Sequence, residues 1–159
     1  MPLEQALSLH ADVEVMDADL ALYHSLFNTI LDRLQAKTPL LEGAGPGTVY
    51  TCMRGMQLIY PDEEAFINAL KEVIPSVFEA RFGIAGGKFP ALLAASASQP
   101  GQFKSIAGSG SAFIQNMPCS CLPVSPKIKA RLAAFGIKTL GQLARLEPGA
   151  LGSQFGPEG

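Results

Sequence analysis

The stretch from Arg81 to Phe103 constrains the fold most: an alternating apolar run, a Gly86-Gly87-Lys88 turn, an alanine-rich segment and then Pro100-Gly101. Phe78, Ala80, Phe82 and Ile84 alternate as a strand entering the turn, and the alanines beyond it favour helix. Strand, turn and helix in succession pack as an α+β layer. The turn also invites a phosphate-loop reading, in which glycine amides and a lysine cradle phosphates at a helix N-terminus. The spacing refuses it. Phe82 stands where that loop needs its first glycine, and Phe89 where it needs the hydroxyl that holds magnesium.

The segments before this stretch fit the same class. Met1 to Leu9 is apolar at helical spacing, and Val13 and Val15 alternate like a short strand. From Asp19, Tyr23, Leu26, Phe27, Ile30, Leu31 and Leu34 form one face of an amphipathic helix that ends before Pro39. Asp17 or Asp19 caps it; an Asp-x-Asp pair can hold a metal, but acids before a helix usually satisfy its free amides. Three glycines and Pro46 make a loop of Gly43 to Gly47, leading into the β-prone run Thr48–Met53. A second helix starts at Pro61-Asp62, with Phe66, Leu70, Val73, Ile74 and Val77 on one face and Pro75 stopping it.

With 48% hydrophobic and 16% charged residues among 159, the chain has the composition of a globular protein with a core. It lacks the roughly 18-residue apolar run of a membrane span, and its N-terminus lacks signal-peptide order, so a soluble, cytoplasmic protein with no membrane partner is expected. Cys52, Cys119 and Cys121 do not match zinc spacing and read as free thiols. The net charge of −2 hides an asymmetry, −8 over residues 1–80 and +3 from Leu122 onward. The C-terminal end is the part suited to a polyanion, although a solvated helix face carries similar charges.

After Phe103, Gly108-Ser-Gly-Ser111 reads as a flexible connection and Pro118 to Pro123 as another break, which places a domain boundary at 117/118. Ser125 caps a helix with Pro126 in its first turn and Ile128, Leu132 and Phe135 as its buried stripe. Gly136 suits the left-handed position that ends it. Thr139 and Gln142 form a capping box for a helix burying Leu140, Leu143 and Leu146. A third short helix follows Pro148 and carries Leu151 and Phe155. Two short helices on a glycine turn resemble a helix-hairpin-helix unit, which holds nucleic-acid phosphates without reading bases. A helical packing module with a solvated basic face is the other reading.

Together these pieces resemble the palm and thumb of the Y-family translesion DNA polymerases. The anchor is Phe82-Gly-Ile-Ala-Gly-Gly-Lys-Phe89, then Ala91, Ala94-Ala95 and Gln99-Pro-Gly101, similar to that family's strand, turn, lysine, alanine-rich helix and Lys-Pro-Asp-Gly run. Leu122-Pro123, Leu132, Gly136-Ile137, Thr139-Leu140-Gly141, Leu143-Ala144, Leu146 and Phe155-Gly156 resemble the thumb's series. The resemblance implies a partial palm over residues 1–117, an antiparallel or mixed sheet with covering helices, and a helix-hairpin-helix-like thumb over 118–159. It implies that the strands in Thr48–Met53 and Phe78–Ala85 share one sheet; an unrelated α+β domain with a helical DNA-binding appendage is the reading in which they do not.

The departures bear on activity. Active members introduce the strand corresponding to Thr48–Cys52 with Ser-x-Asp-Glu, whose carboxylates bind catalytic magnesium. Counted onto that pattern, the Asp-Glu pair falls on Gly47-Thr48, and no acid occurs between Glu42 and Asp62. The strand bearing the family's other metal-binding aspartate lies upstream of Met1, as if the chain were a piece of a longer protein. The thumb's glycine-bearing hairpin is shortened to Val124-Ser125. These losses resemble the non-catalytic, ImuB-like paralogue of bacterial mutagenesis cassettes, an adaptor between an error-prone polymerase and the sliding clamp, whose clamp-binding segment lies further toward the C-terminus.

The resemblance therefore implies no catalytic residues, no metal and no cofactor. It implies weak, sequence-independent contact with primer-template DNA through Ser125, Lys127, Lys129 and Arg131. Lys88 is a relic of a contact to the incoming nucleotide, or a surface lysine at a helix start. The alternative is an active DNA-directed DNA polymerase, using magnesium held by acids supplied elsewhere, Asp17 or Asp19 among them.

Overall fold

The computed structural model describes residues 7–8, 14–108 and 110–155, except the side chains of Pro148, Ala150, Ser153 and Phe155. Most of the expected helix over Met1–Leu9, Val13, Ser109, the Phe155 side chain and Gly156 lie outside the described residues. The chain divides into two compact units, Met1–Cys52 and Met53–Gly159.

In the first unit, the Asp19 carboxylate accepts the Leu22 N–H at 2.9 Å and starts helix α1 (Leu20–Gln35). This satisfies one of the amides that every helix leaves open at its start. Strand β1 (Leu41–Gly43) pairs antiparallel with β2 (Val49–Thr51), Leu41 opposite Thr51 and Gly43 opposite Val49. Helix and hairpin meet closely at Gly43, where a Cβ would lie 3.1 Å from Leu31 Cδ1 and 3.4 Å from Phe27 Cε1. Thr38, buried at the end of α1, places its hydroxyl 3.0 Å from that of Thr51 and ties the two elements. Leu34 is buried, but Tyr23 and Leu26, read as part of the covered face, are 48% and 44% exposed. Periodicity selects a face; it does not say how far along the helix a neighbour reaches. Val15 is exposed and lies in no strand.

The second unit opens with turns that bury Met56 and set Tyr60 against Phe66, ring centroids 5.1 Å apart. Asp62 caps helix α2 (Glu63–Lys71), accepting from Ala65 N at 2.8 Å, with Glu63 and Glu64 favourably placed in the first turn. Phe66, Ile67 and Leu70 are its buried stripe. The helix ends before Val73 and Ile74, whose amides turn back to Leu70 and Lys71, and Val77 is exposed, against the longer helix expected. Pro75 clashes with a helical turn before it, so the chain leaves the helix early.

Strand β3 (Phe82–Ile84), helix α3 (Lys88–Ser96) and strand β4 (Phe103–Ser105) form a parallel β-α-β unit, with Phe82 opposite Phe103 and Ile84 opposite Ser105. Parallel neighbours need such a crossover. The strand is shorter than the alternation suggested, because Phe78 N and Ala80 N bond locally to Pro75 O and Phe78 O in turns. The single sheet expected to hold Thr48–Met53 and Phe78–Ala85 is not present among the described residues: β2 pairs with β1 and β3 with β4, in two separate sheets. Each pair is the nearest partner that its own connection supplies, a tight glycine turn in one case and α3 in the other.

Gly110, at φ +65°, leads into α4 (Ser111–Gln115), and a 3₁₀ turn (Cys119–Cys121) follows. Helices α5 (Pro126–Ala134), α6 (Leu140–Leu143) and α7 (Pro148–Phe155) complete the unit. Leu93 of α3 packs with Cys119, Ile128, Leu132 and Leu140 in one buried cluster. Phe135 and Leu146, expected inside, are 57% and 38% exposed. Phe135 is the residue at which α5 stops, so its side chain falls past the buried stripe.

Candidate nucleic-acid interface

The basic residues singled out in the sequence sit on or beside α5. Pro126 opens the helix and Ser125 caps it, its hydroxyl accepting the Ile128 N–H at 3.4 Å, so Ser125 is engaged within the chain. Lys127 is exposed in the first turn. Lys129 is half-buried and donates from Nζ to the Ser120 carbonyl of the 3₁₀ turn at 2.8 Å. Arg131, also half-buried, donates from its guanidinium to the Gln154 carbonyl of α7. The sequence did not reveal these two contacts, which join residues 9 and 23 positions apart. An ammonium carries three donors, so Lys129 can hold its contact and still face an anion.

The turn after α5 follows the sequence closely. Gly136 has φ +73°, the left-handed conformation that closes a helix, and Thr139 and Gln142 form a capping box. Gln142 Oε1 accepts from Lys138 N at 2.7 Å and from Thr139 N at 3.2 Å. Gly141 lets α6 lie against α4, since a Cβ there would be 2.8 Å from the Gln115 carbonyl. Lys138 is exposed on this turn. Burial pushes the Cys119 thiol up from the usual range, and neighbouring Cys121 adds to the shift.

Lys88 is the first residue of α3 and exposed, with Gly87 as an extended cap before it. The tight packing of the strand–helix unit is at Gly83. A Cβ on Gly83 would be 2.1 Å from the Ala91 carbonyl oxygen and 2.9 Å from Ala94 Cβ. Gly83, Ala91, Ala94 and Ala95 are thus small for one packing reason.

Gly47 and Thr48 lie in the turn of the β1–β2 hairpin, in the first unit, whereas Lys88 belongs to the second. Ala44 N donates to Thr48 O at 2.9 Å, and Gly45 and Gly47 have φ +98° and +87°. Those angles suit glycine, not a carboxylate residue. Asp17 and Asp19 are both exposed, and Asp19 is occupied as the α1 cap. Among the described residues, no three His, Cys, Asp or Glu side chains are grouped to hold a metal ion. The described residues do not fit a magnesium pair of the Y-family kind.

A sequence profile of the impB/mucB/samB family matches residues 1–96, more than half of the chain. The chain belongs to that family. It is 27% identical over 164 residues to DNA polymerase IV of Caulobacter vibrioides and 26% identical over 160 residues to that of Dehalococcoides mccartyi. The matches take in 100% and 98% of this chain and 41% of each relative. Among solved structures, DinB from Sulfolobus solfataricus superposes with a TM-score of 0.73 at 18% identity, over 99% of this chain and 48% of that one. An insertion ternary complex of Dbh DNA polymerase gives 0.69, also at 18% identity, over 96% and 46%. The fold is therefore that of the Y-family polymerase palm region, in α+β form. The chain spans about two fifths of the curated relatives' length. No helix among the described residues is long and apolar enough to cross a membrane.

Proposed function

We propose that the protein is a Y-family scaffold without polymerase chemistry, an ImuB-like adaptor in translesion synthesis and DNA-damage tolerance. The observation that carries this reading is the glycine turn at Gly47-Thr48, which puts φ +87° where the family's pattern has its aspartate. Two-metal phosphoryl transfer needs oxygen ligands at fixed places, and this turn offers no carboxylate. Its partners are primer-template DNA, an error-prone polymerase and the sliding clamp, the last two met through regions outside these residues. Residues 1–117 act as the palm part and 118–159 as the helix-hairpin-helix-like thumb.

DNA contact is weak and sequence-independent. Lys127 supplies an exposed charge, the half-buried Lys129 and Arg131 add theirs, and Ser125 holds the first turn of α5 in place. Lys88 keeps the place of a nucleotide contact without metal ligands to act with. Fluorescence anisotropy with primer-template DNA at low salt tests the interface. Binding that survives alanine at Lys127, Lys129 and Arg131 together makes the thumb purely structural. Primer extension tests the loss of chemistry, and steady incorporation contradicts it.

A further inference from the structure

Unit one contains a groove that the DNA reading does not use. It holds about 480 Å³ and is lined by Asn28, Leu31, Asp32, Gln35, Leu41 and Gly43. Asn28, Asp32 and Gln35 recur at helical spacing along one face of α1, and all three are exposed. Leu41 and Gly43 of β1 form the opposite wall. Ala44 N–H donates to Thr48 O, which makes Ala44 and Thr48 a bonded pair of the ladder. Bonded pairs alternate in an antiparallel ladder, so Glu42 and Tyr50 are the next. Leu41 and Gly43, which both line the groove, then point their amides and carbonyls away from β2. These outward groups repeat at about 6.6 Å, the two-residue spacing of an extended chain.

We propose that this groove takes an extended segment of a partner protein that carries a lysine or arginine. Backbone pairing on the β1 edge supplies register, as in recognition by strand addition. Two carboxamides on α1 offer both donors and acceptors, and Asp32, the charged residue of the lining, selects a cation. Charge disfavours edge-to-edge pairing with β1 of a second copy, because residues 1–80 carry −8 and β1 itself bears Glu42. The groove lies in Met1–Cys52 and the basic helix in Met53–Gly159, so the proposal does not depend on the DNA reading.

The test is a titration of the ¹⁵N-labelled full-length protein with a capped hexapeptide of alternating threonine and lysine. A copy N-methylated at alternate amides serves as the control. The expected result is shifts at the Leu41 and Gly43 amides and at the Asn28 and Gln35 side-chain amides, abolished with the N-methylated peptide. Asp32→Asn should weaken binding about fivefold or more, without loss of the native spectrum. No shift at millimolar peptide, shifts that survive N-methylation, or shifts confined to other residues overturn the proposal. The same shifts appearing with protein concentration alone, with a dimer in sedimentation, assign the groove to a second copy and overturn it equally.

Discussion

Gly83 and Ala95 touch: a Cβ built on Gly83 would lie 2.3 Å from the Ala95 backbone nitrogen. The contact explains why glycine on β3 and small residues along α3 occur together, since any larger side chain would push the helix off the strand. Gly83→Ala should cost about 3 kcal/mol or abolish folding, being an overpacking change against backbone. Gly87→Ala, with an extended φ of −174° and no atom nearer than 3.7 Å to a new Cβ, should change stability by less than about 1 kcal/mol. Urea unfolding of both variants checks this. Equal effects would mean that the strand–helix contact is not what selects glycine.

Helix starts were legible in the sequence because they depend on local chemistry. Asp19, Ser125 and Thr139 each cap a helix as expected, and the helix expected to start at Pro61-Asp62 does so with Asp62 as its cap. Gly136 also takes its left-handed place. What the sequence did not disclose depends on distant partners: which half of α1 is covered, which strands pair, and that Lys129 and Arg131 reach carbonyls in other elements. Asn28, Asp32 and Gln35 gave no signal, since polar residues at that spacing are what the outer face of any amphipathic helix carries.

The basic residues of α5 should separate by role. Lys127→Ala should weaken binding to primer-template DNA and lower the salt slope by about 1, with the melting temperature unchanged. Lys129→Ala and Arg131→Ala should lower both binding and melting temperature, because each also removes an internal hydrogen bond. Anisotropy across a salt series, beside thermal melts, distinguishes the two patterns. Identical behaviour of all three variants would remove the distinction.

The Gly47 turn should resist side chains. Gly47→Ala should destabilise by about 1–2 kcal/mol, from the strain of φ +87° and not from crowding, since a Cβ there meets nothing within 4 Å. A variant as stable as wild type in urea would show that the turn does not need glycine.

The three thiols should differ in reactivity. Cys52 is exposed, Cys121 half-buried and Cys119 buried, so iodoacetamide near neutral pH should label Cys52 first and Cys119 last. The Cys119 thiol is held above its usual range, chiefly by burial, so folding favours its protonated form. Its contribution is complete below the unfolded thiol's pKa and is lost as pH rises through the folded one. The stability advantage of wild type over Cys119→Ala should therefore shrink in alkaline solution. A gap that stays constant up to the pH at which the native state unfolds would contradict it.

The central claim is that the polymerase fold persists here without its carboxylate site. Primer extension by the full-length protein, with magnesium and all four deoxynucleotides and on DNA that it demonstrably binds, tests this most directly. The expected result is no incorporation above that of a protein-free control. Steady, template-directed extension would contradict the claim and place the metal ligands elsewhere in the protein.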